Sequence, residues 1–335
     1  MLILFELSKE HKTLPKSEIL SCLNAEDISY SIVDSIDDVL VIKTDATSPK
    51  IKQLEQRLSF TFSICELIFS CSSSLKDVKN CSRDKPIKKE GSIAVRYKNR
   101  SKNIESQSIL DAVEDVYTKN RKVNLVNPDI TIRILITDES VYVCSLISTI
   151  DRSEFEKRKV QFRPFFSPIS LHPKIARALV NLSYVKKNDT LLDPFCGTGG
   201  ILLEAGLIGV KVIGSDIENK MIDGCRKTLD FYKIRKYELF CLDVGDIKKH
   251  VPMIDAVVTD MPYGKSTTTK GEKIHRLYER GFRSISEILK KDGRAVIGLS
   301  NKDMISLGEK YFSLVETHDF RVHRSLTRYF AVYKK

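Results

Sequence analysis

At 335 residues, 42% apolar and 30% charged, the chain has material for two or three domains with real cores. No apolar run approaches the ~18–20 uncharged residues of a membrane span. The opening MLILFELSKEHK lacks a basic leader region and a small-residue cleavage site, so it reads as a first strand of a cytoplasmic protein. Eight cysteines form no C-x-x-C pair and sit mostly in apolar runs, as small buried hydrophobes of a reducing compartment; no metal is expected.

Residues 1–70 show the strand-like runs LILFEL, YSIVDSI and VLVIKT and a helical stretch, SPKIKQLEQRLSF. A Ser/Lys/Asn-rich passage, 71–90, leads into a second mixed unit. There SIAVRYK reads as a strand and SQSILDAVEDVYTKN as a helix. DITIRILIT and SVYVCSLI read as strands joined by the turn Asp138-Glu139. Both spans, 1–70 and 71–150, have the look of small α+β modules. The charged segment 151–165 reads as a linker, and the prolines of RPFFSPISLHP mark entry to a further domain, 166–335.

Charge is uneven along this order. The formal net of +11 divides into +1 for residues 1–160 and +10 for 161–335, while residues 76–102 alone carry ten basic and three acidic side chains. A basic island plus a basic C-terminal half is what a phosphate-backbone binder needs, although a merely soluble surface would show it too.

From residue 174 strands and helices alternate: PKIARALVNLS, TLLD, a glycine turn, GGILLEAGLIG, VKVIGSD, MIDGCRKTLDFY, YELFCLD, IDAVVTD, a helix at about 272–291, and GRAVIGLS. The pattern predicts an α/β fold of Rossmann-like, doubly wound type with a mostly parallel sheet. FSLVETHDF and LTRYFAVYK add an antiparallel edge hairpin. Ligands of such sheets bind beyond the carboxyl ends of the strands, where strand order reverses. Asp193, Asp216, Asp243 and Asp260 end four successive strands there, more acids than turn chemistry alone requires.

The first turn, Asp193-Pro194-Phe195-Cys196-Gly197-Thr198-Gly199-Gly200, allows close backbone approach and opens a helix with free N–H groups. Leu202 stands where a dinucleotide fingerprint has its third glycine, and Asp193 is unwelcoming to a pyrophosphate. Asp216 lies where a carboxylate takes both ribose hydroxyls. A nucleoside with a cationic tail fits the row of acids, and S-adenosylmethionine is that molecule. The cluster Asp260-Met261-Pro262-Tyr263 suits an exocyclic base amine, whose lone pair is delocalised into the ring. A carboxylate and a turn carbonyl accepting its hydrogens favour a pyramidal nitrogen, Pro262 aims the turn, and Tyr263 offers a flat face. A plain turn with Tyr263 as packing is the simpler alternative.

DPFCGTGG together with D-x-P-Y resembles the class I amino methyltransferases. FEKRKVQFRPFFSPISLHPKIARALVNLS ahead of the loop is similar to the archaeal tRNA (guanine-10) 2-amino methyltransferase family. That resemblance implies a ferredoxin-like region at 1–70, a THUMP RNA-binding domain at 71–150 and an S-adenosylmethionine-dependent domain at 166–335. It implies that Asp193, Gly197, Thr198 and Gly199 line the methionine end, that Asp216 holds the ribose, and that Asp243 and Val244 meet the adenine. Cys196 and Ile217 complete the cofactor-binding set, and Asp260, Pro262 and Tyr263 hold the target base. The family usually has a second proline where this chain has Met261, which puts the stiffness of the turn in question.

The expected activity is methylation of the 2-amino group of a guanosine in tRNA, at position 10, with one or two methyl groups added. The base must be flipped, because its amine faces the minor groove of a paired stem. The 76–102 island grips RNA, with His275, Arg276, His323 and Arg324 as further phosphate contacts or ordinary surface. A monomer is expected. Methylation of another RNA or DNA amine, or an RNA-binding protein with an inert transferase domain, are the competing readings.

Overall fold

The computed structural model describes residues 1–36, 38–167, 170–263, 273–323 and 326–335. Contacts divide the chain into two compact units. The first takes Met1–Lys12, Ile28–Glu55 and Thr61–Asp151; the second takes Thr13–Asp27, with helix α1 (Leu14–Ala25), Gln56–Phe60 and Arg152–Lys335.

In the first unit one seven-stranded sheet runs in the order β2 (Tyr30–Ile36), β3 (Val39–Thr44), β1 (Leu2–Leu7), β4 (Thr61–Ser72), β7 (Ser140–Thr149), β6 (Ile130–Ile136), β5 (Ile93–Asn99). Every pairing is antiparallel except β5 with β6. The alternation in ITIRILI sends Ile130, Ile132 and Ile134 into one core with Phe69, Val141 and Val143. Arg133, on the other face, donates from Nε to the buried Glu6 at 2.8 Å. Helices α3 (Leu75–Asp84) and α4 (Ser106–Tyr117) contribute Val78, Ile109, Ala112 and Val113 to the same core; the short α2 is Ser48–Lys52.

Strand β4 and helices α1 and α3 are absent from the sequence reading. The helical stretch expected from residue 48 stops as a helical turn at Gln56, and β4 starts at Thr61. α3 is hidden by its polar composition, yet Ser74 caps it by accepting from the Asp77 N–H at 3.2 Å, and only Val78 and Ser82, one turn apart, are buried.

The second unit is a doubly wound sheet in the order β10 (Tyr237–Cys241), β9 (Lys211–Asp216), β8 (Thr190–Asp193), β11 (Ile254–Asp260), β12 (Leu289–Leu299), β14 (Leu326–Lys334), β13 (Ser313–His323). The first five strands are mutually parallel. The hairpin β13–β14 is antiparallel, with β14 paired to β12 and β13 at the edge. Strand order reverses between β8 and β11. Both faces are covered, so neighbouring residues enter opposite cores. Leu191, Val212 and Val258 join α1, α6 (Pro173–Leu182), α7 (Gly200–Leu207) and α8 (Asn219–Phe231), whereas Leu192, Ile213 and Val257 join α10 (Ile274–Ile288) and α11 (Asp303–Gly308). Residues 152–163 form α5 (Ser153–Lys157) and a further helical turn, with Phe155 buried beneath Arg158 and Arg177; α9 is Ile247–His250.

Helix α1 packs against α6 around a buried acid. Glu18 accepts from the Ser59 hydroxyl at 2.6 Å, the Phe60 N–H at 2.9 Å and the Asn181 amide at 2.9 Å, and also from the Ser59 N–H. Burial raises its carboxyl above the ordinary value, partly offset by these donors. No described helix is long and apolar enough to cross a membrane.

Candidate active site

Asp216, Asp193 and Asp260 end the neighbouring strands β9, β8 and β11, and Asp243 lies two residues past β10, which gives the spatial order Asp243, Asp216, Asp193, Asp260. At about 4.8 Å per strand the row extends roughly 14 Å, the length of a nucleoside with a short tail. Hydrogen bonds tie neighbours along it. Leu242 N–H donates to the Asp216 carbonyl at 3.0 Å, Cys196 N–H to the Ser215 carbonyl at 2.9 Å, and the Thr259 hydroxyl to Asp193 Oδ1 at 2.6 Å. The reversal between β8 and β11 thus sets Asp193 beside Asp260, which pairing along the sequence does not suggest.

Gly197 and Gly199 have φ of +48° and +79°, a left-handed region costly for other residues. A Cβ on Gly199 would come within 2.6 Å of Cys225 Sγ, whereas one on Gly197 would meet nothing within 4 Å. The loop is therefore tight on its inner side and open at Gly197. Its open side is fastened to β9, since Asp216 Oδ2 accepts from Gly197 N–H and Oδ1 from Glu218 N–H, both at 3.0 Å. A carboxylate has about four acceptor positions, so Asp216 retains capacity for two hydroxyls. Burial raises its carboxyl, and these amides pull the other way.

Asp193 is 2% exposed. Burial pushes its carboxyl up to about 7, against the donors Thr259 and Phe195 N–H, and Asp260 and Asp216 push the same way. An acid so placed gains most from a cationic neighbour. Cys196 and Thr198 are buried in the loop, and Cys225 together with burial holds the Cys196 thiol well above its usual range, which disfavours a nucleophilic thiolate. Ile217 is half-buried beyond Asp216. Val244 is buried in the core, and Asp243 accepts from Gly245 N–H at 2.8 Å and pairs bidentately with Arg280 of α10, at 2.5 and 3.3 Å.

At β11 the Tyr263 hydroxyl folds back to donate to Asp260 Oδ1, while Arg328 Nη2 stands 3.4 Å from Oδ2 and Arg328 Nε donates to Tyr263 Oη at 3.0 Å. Burial raises the Asp260 carboxyl and Arg328 lowers it, so the arginine favours the ionised form. Burial and Asp260 keep the Tyr263 phenol far above its ordinary range, hence a neutral donor.

Met261 is anchored rather than loose. Its N–H, which a proline would lack, donates to the Gly298 carbonyl at 3.0 Å, and its side chain is fully buried against Gly281. The Pro262 carbonyl accepts from the Tyr278 hydroxyl at 3.1 Å. The turn thus gains from a β12 hydrogen bond and an α10 tyrosine the stiffness that a second proline would give.

Sequence reasoning missed Arg280, Tyr278, Gly298 and Arg328. A Cβ on Gly298 would lie 2.3 Å from Asp260 Oδ1, so glycine there makes room for the acid. Of the four extra basic candidates, His275 and Arg276 are exposed on the first turn of α10; the His323 side chain and Arg324 lie outside the described residues. Among the described residues no His, Cys, Asp and Glu group could hold a metal ion.

A family model described as "RMKL-like, methyltransferase domain" matches residues 160–329, and a THUMP domain matches residues 75–146. The tRNA (guanine(10)-N2)-dimethyltransferase of Methanothermobacter thermautotrophicus is 36% identical over 334 residues, 98% of each chain. That of Methanocaldococcus jannaschii is 38% identical over 223 residues, 64% of this chain and 61% of its own. The crystal structure of TrmN from Thermus thermophilus superposes with a TM-score of 0.58 at 17% identity over 100% of both chains, a likeness of fold. With its row of acids at the switch point of a doubly wound sheet and a THUMP domain ahead of it, the chain belongs to the tRNA (guanine(10)-N2)-dimethyltransferase family, S-adenosylmethionine-dependent enzymes of class I fold.

Proposed function

We propose that this protein methylates the 2-amino group of the guanosine at position 10 of tRNA. The observation that carries the reading is the junction of Asp260 with Asp193 through Thr259, which sets a base-binding acid next to the glycine loop. S-adenosylmethionine supplies an electrophilic methyl group when bound. Asp216 takes the ribose hydroxyls with its spare acceptor positions, Asp193 and the Cys196–Gly199 loop face the methionine end, and Ile217, Asp243 and Val244 border the adenine.

Asp260 and the Met261 carbonyl accept the two amine hydrogens of the target base. This orients the nitrogen lone pair out of conjugation, and Asp260 takes the proton the amine releases. The Tyr263 hydroxyl must leave Asp260 for this to occur, which frees its ring to stack on a flipped purine. Arg328 beside it favours the ionised carboxylate, against the larger opposing effect of burial.

The RNA is held by the first unit. Of the ten basic residues in 76–102, nine are exposed, and Arg100 is committed to Glu6 at 3.0 Å. A monomer in the cytoplasm belongs to the same reading, as do one or two methyl transfers. Labelled methyl transfer into total tRNA, followed by mass spectrometry of the nucleosides, tests it. Dimethylated or monomethylated guanosine confined to position 10 is expected; label only in DNA or in adenosine refutes the proposal.

A further inference from the structure

A basic surface of the C-terminal unit lies at the sheet rim opposite the row of acids. Strands β8, β9 and β10 are parallel neighbours, so the segments that precede them share the amino end of the sheet. Hydrogen bonds lace those segments together. Asn188 N–H donates to the Gly209 carbonyl at 3.0 Å, Lys211 N–H to the Asp189 carbonyl at 2.8 Å, and Val212 N–H to the Lys236 carbonyl at 3.0 Å. Residues 186–190, 209–212 and 226–238 together hold eight basic and three acidic side chains, so the surface attracts anions.

Farther along the same rim the cations are neutralised: Lys290 pairs with Asp255 at 2.7 Å and Lys334 with Asp292 at 2.8 Å. Below β8, β9 and β10 they are not. Lys187, Lys211, Lys233 and Arg235 are exposed and form no ion pair among the described residues, and Lys236 Nζ donates to the neutral Asn188 Oδ1 at 3.1 Å. Two of the three acids are already engaged, Asp189 by the Lys186 N–H and Asp230 by the Tyr237 hydroxyl. Lys233 follows α8 with φ of +59°, a left-handed position where glycine or asparagine is usual. Charge kept for solubility alone has no need of a strained position. Close by in the chain, Phe231 ends α8 with 61% of its surface exposed and its ring edge-on to Tyr232 at 5.0 Å, while the buried Ile234 anchors the loop.

We propose that this rim is a second RNA-binding face, which takes an unpaired strand: Lys187, Lys211, Lys233, Arg235 and Lys236 meet its phosphates, and Phe231 stacks beneath a base. An exposed ring among unpaired cations suits single-stranded nucleic acid, whereas an acidic polypeptide offers carboxylates but no base for the ring. The length of β9 separates this rim from the acids by roughly 17 Å, so the strand it holds does not include the reacting nucleotide. The proposal goes beyond the RNA contacts of the first unit and does not depend on which base is methylated.

Crosslinking tests it on the full chain. An oligouridylate carrying 4-thiouridine, mapped by peptide mass spectrometry, is expected to mark residues 226–238, and the yield there, titrated against RNA, reads the affinity of this face alone. Changing Lys211→Ala, Lys233→Gly and Arg235→Ala together should weaken that affinity by about tenfold or more. It should also lower the slope of log affinity against log salt by about 2, three contacts at roughly 0.7 each. Phe231→Ala should weaken it by about tenfold with the slope unchanged. Lys233→Gly alone should bind RNA more weakly yet unfold at no lower urea concentration, which separates a lost contact from a lost fold. Crosslinks confined to residues 1–151, or wild-type affinity and slope in the triple variant, overturn the proposal. Polyglutamate displacing the RNA efficiently while Phe231→Ala has no effect also overturns it, and assigns the face to an acidic protein instead.

Discussion

Replacing Asp193 by asparagine should make the free protein more stable at neutral and alkaline pH while weakening its hold on the cofactor. The side chain is 2% exposed, and its carboxyl is raised from an ordinary 3.8 to about 7, chiefly by burial. The native state therefore binds a proton that the unfolded chain releases between about pH 4 and pH 7. Stability falls as pH rises through that window and levels off above it. At 1.36 kcal/mol per unit the loss is about 4 kcal/mol. Asparagine keeps an oxygen for the Thr259 hydroxyl and Phe195 N–H but never ionises, so it removes the penalty. Urea unfolding of the C-terminal unit at pH 5 and pH 8 measures it. The gain of Asp193→Asn over wild type should be small at pH 5 and larger by a few kcal/mol at pH 8. The affinity of wild type for S-adenosylmethionine should rise from pH 5.5 to pH 7 as Asp193 ionises, and that rise should vanish in the variant. A variant equally or more destabilised at pH 8 than at pH 5 would show that the buried carboxyl carries no such strain.

Three further outcomes follow from individual contacts. Tyr263→Phe keeps the ring and frees Asp260, so kcat should stay within about threefold, whereas Tyr263→Ala should lower it by about 100-fold in single-turnover methyl transfer; equal losses would remove the stacking role. Gly298→Ala puts a Cβ 2.3 Å from Asp260 Oδ1. It should cost about 100-fold in kcat with S-adenosylhomocysteine binding unchanged, and full activity would mean that Asp260 has room elsewhere. Glu18→Ala strands the donors of Ser59, Phe60 and Asn181 and should destabilise by about 3–5 kcal/mol in urea, a loss below about 1 kcal/mol refuting the buried network.

Much of the site was legible because its parts are local. A strand that ends in an acid places that carboxylate at a sheet rim, whatever turn follows it. That reading holds wherever the sheet's neighbours are found, and it brought out Asp193, Asp216, Asp243 and Asp260. The residues that went unread reach the site across the chain. Arg328 meets Asp260 from β14, Tyr278 meets Pro262 from α10, and Gly298 yields space to an acid on the adjoining strand β11. Met261 looked like a weakened turn because its compensation, a bond to Gly298 and burial against Gly281, is invisible in a five-residue motif.

Hydrophobic period and turn chemistry, both written in short stretches of residues, determined the α/β architecture and the rim that carries the candidate site. Only the tertiary structure decided the strand order that puts β8 beside β11, and with it the nearness of Asp193 to Asp260. It also drew α1, from the first thirty residues, into the C-terminal unit around Glu18. Both are outcomes of burial and charge satisfaction between segments far apart in the chain, and such pairings leave no periodic trace in either segment alone.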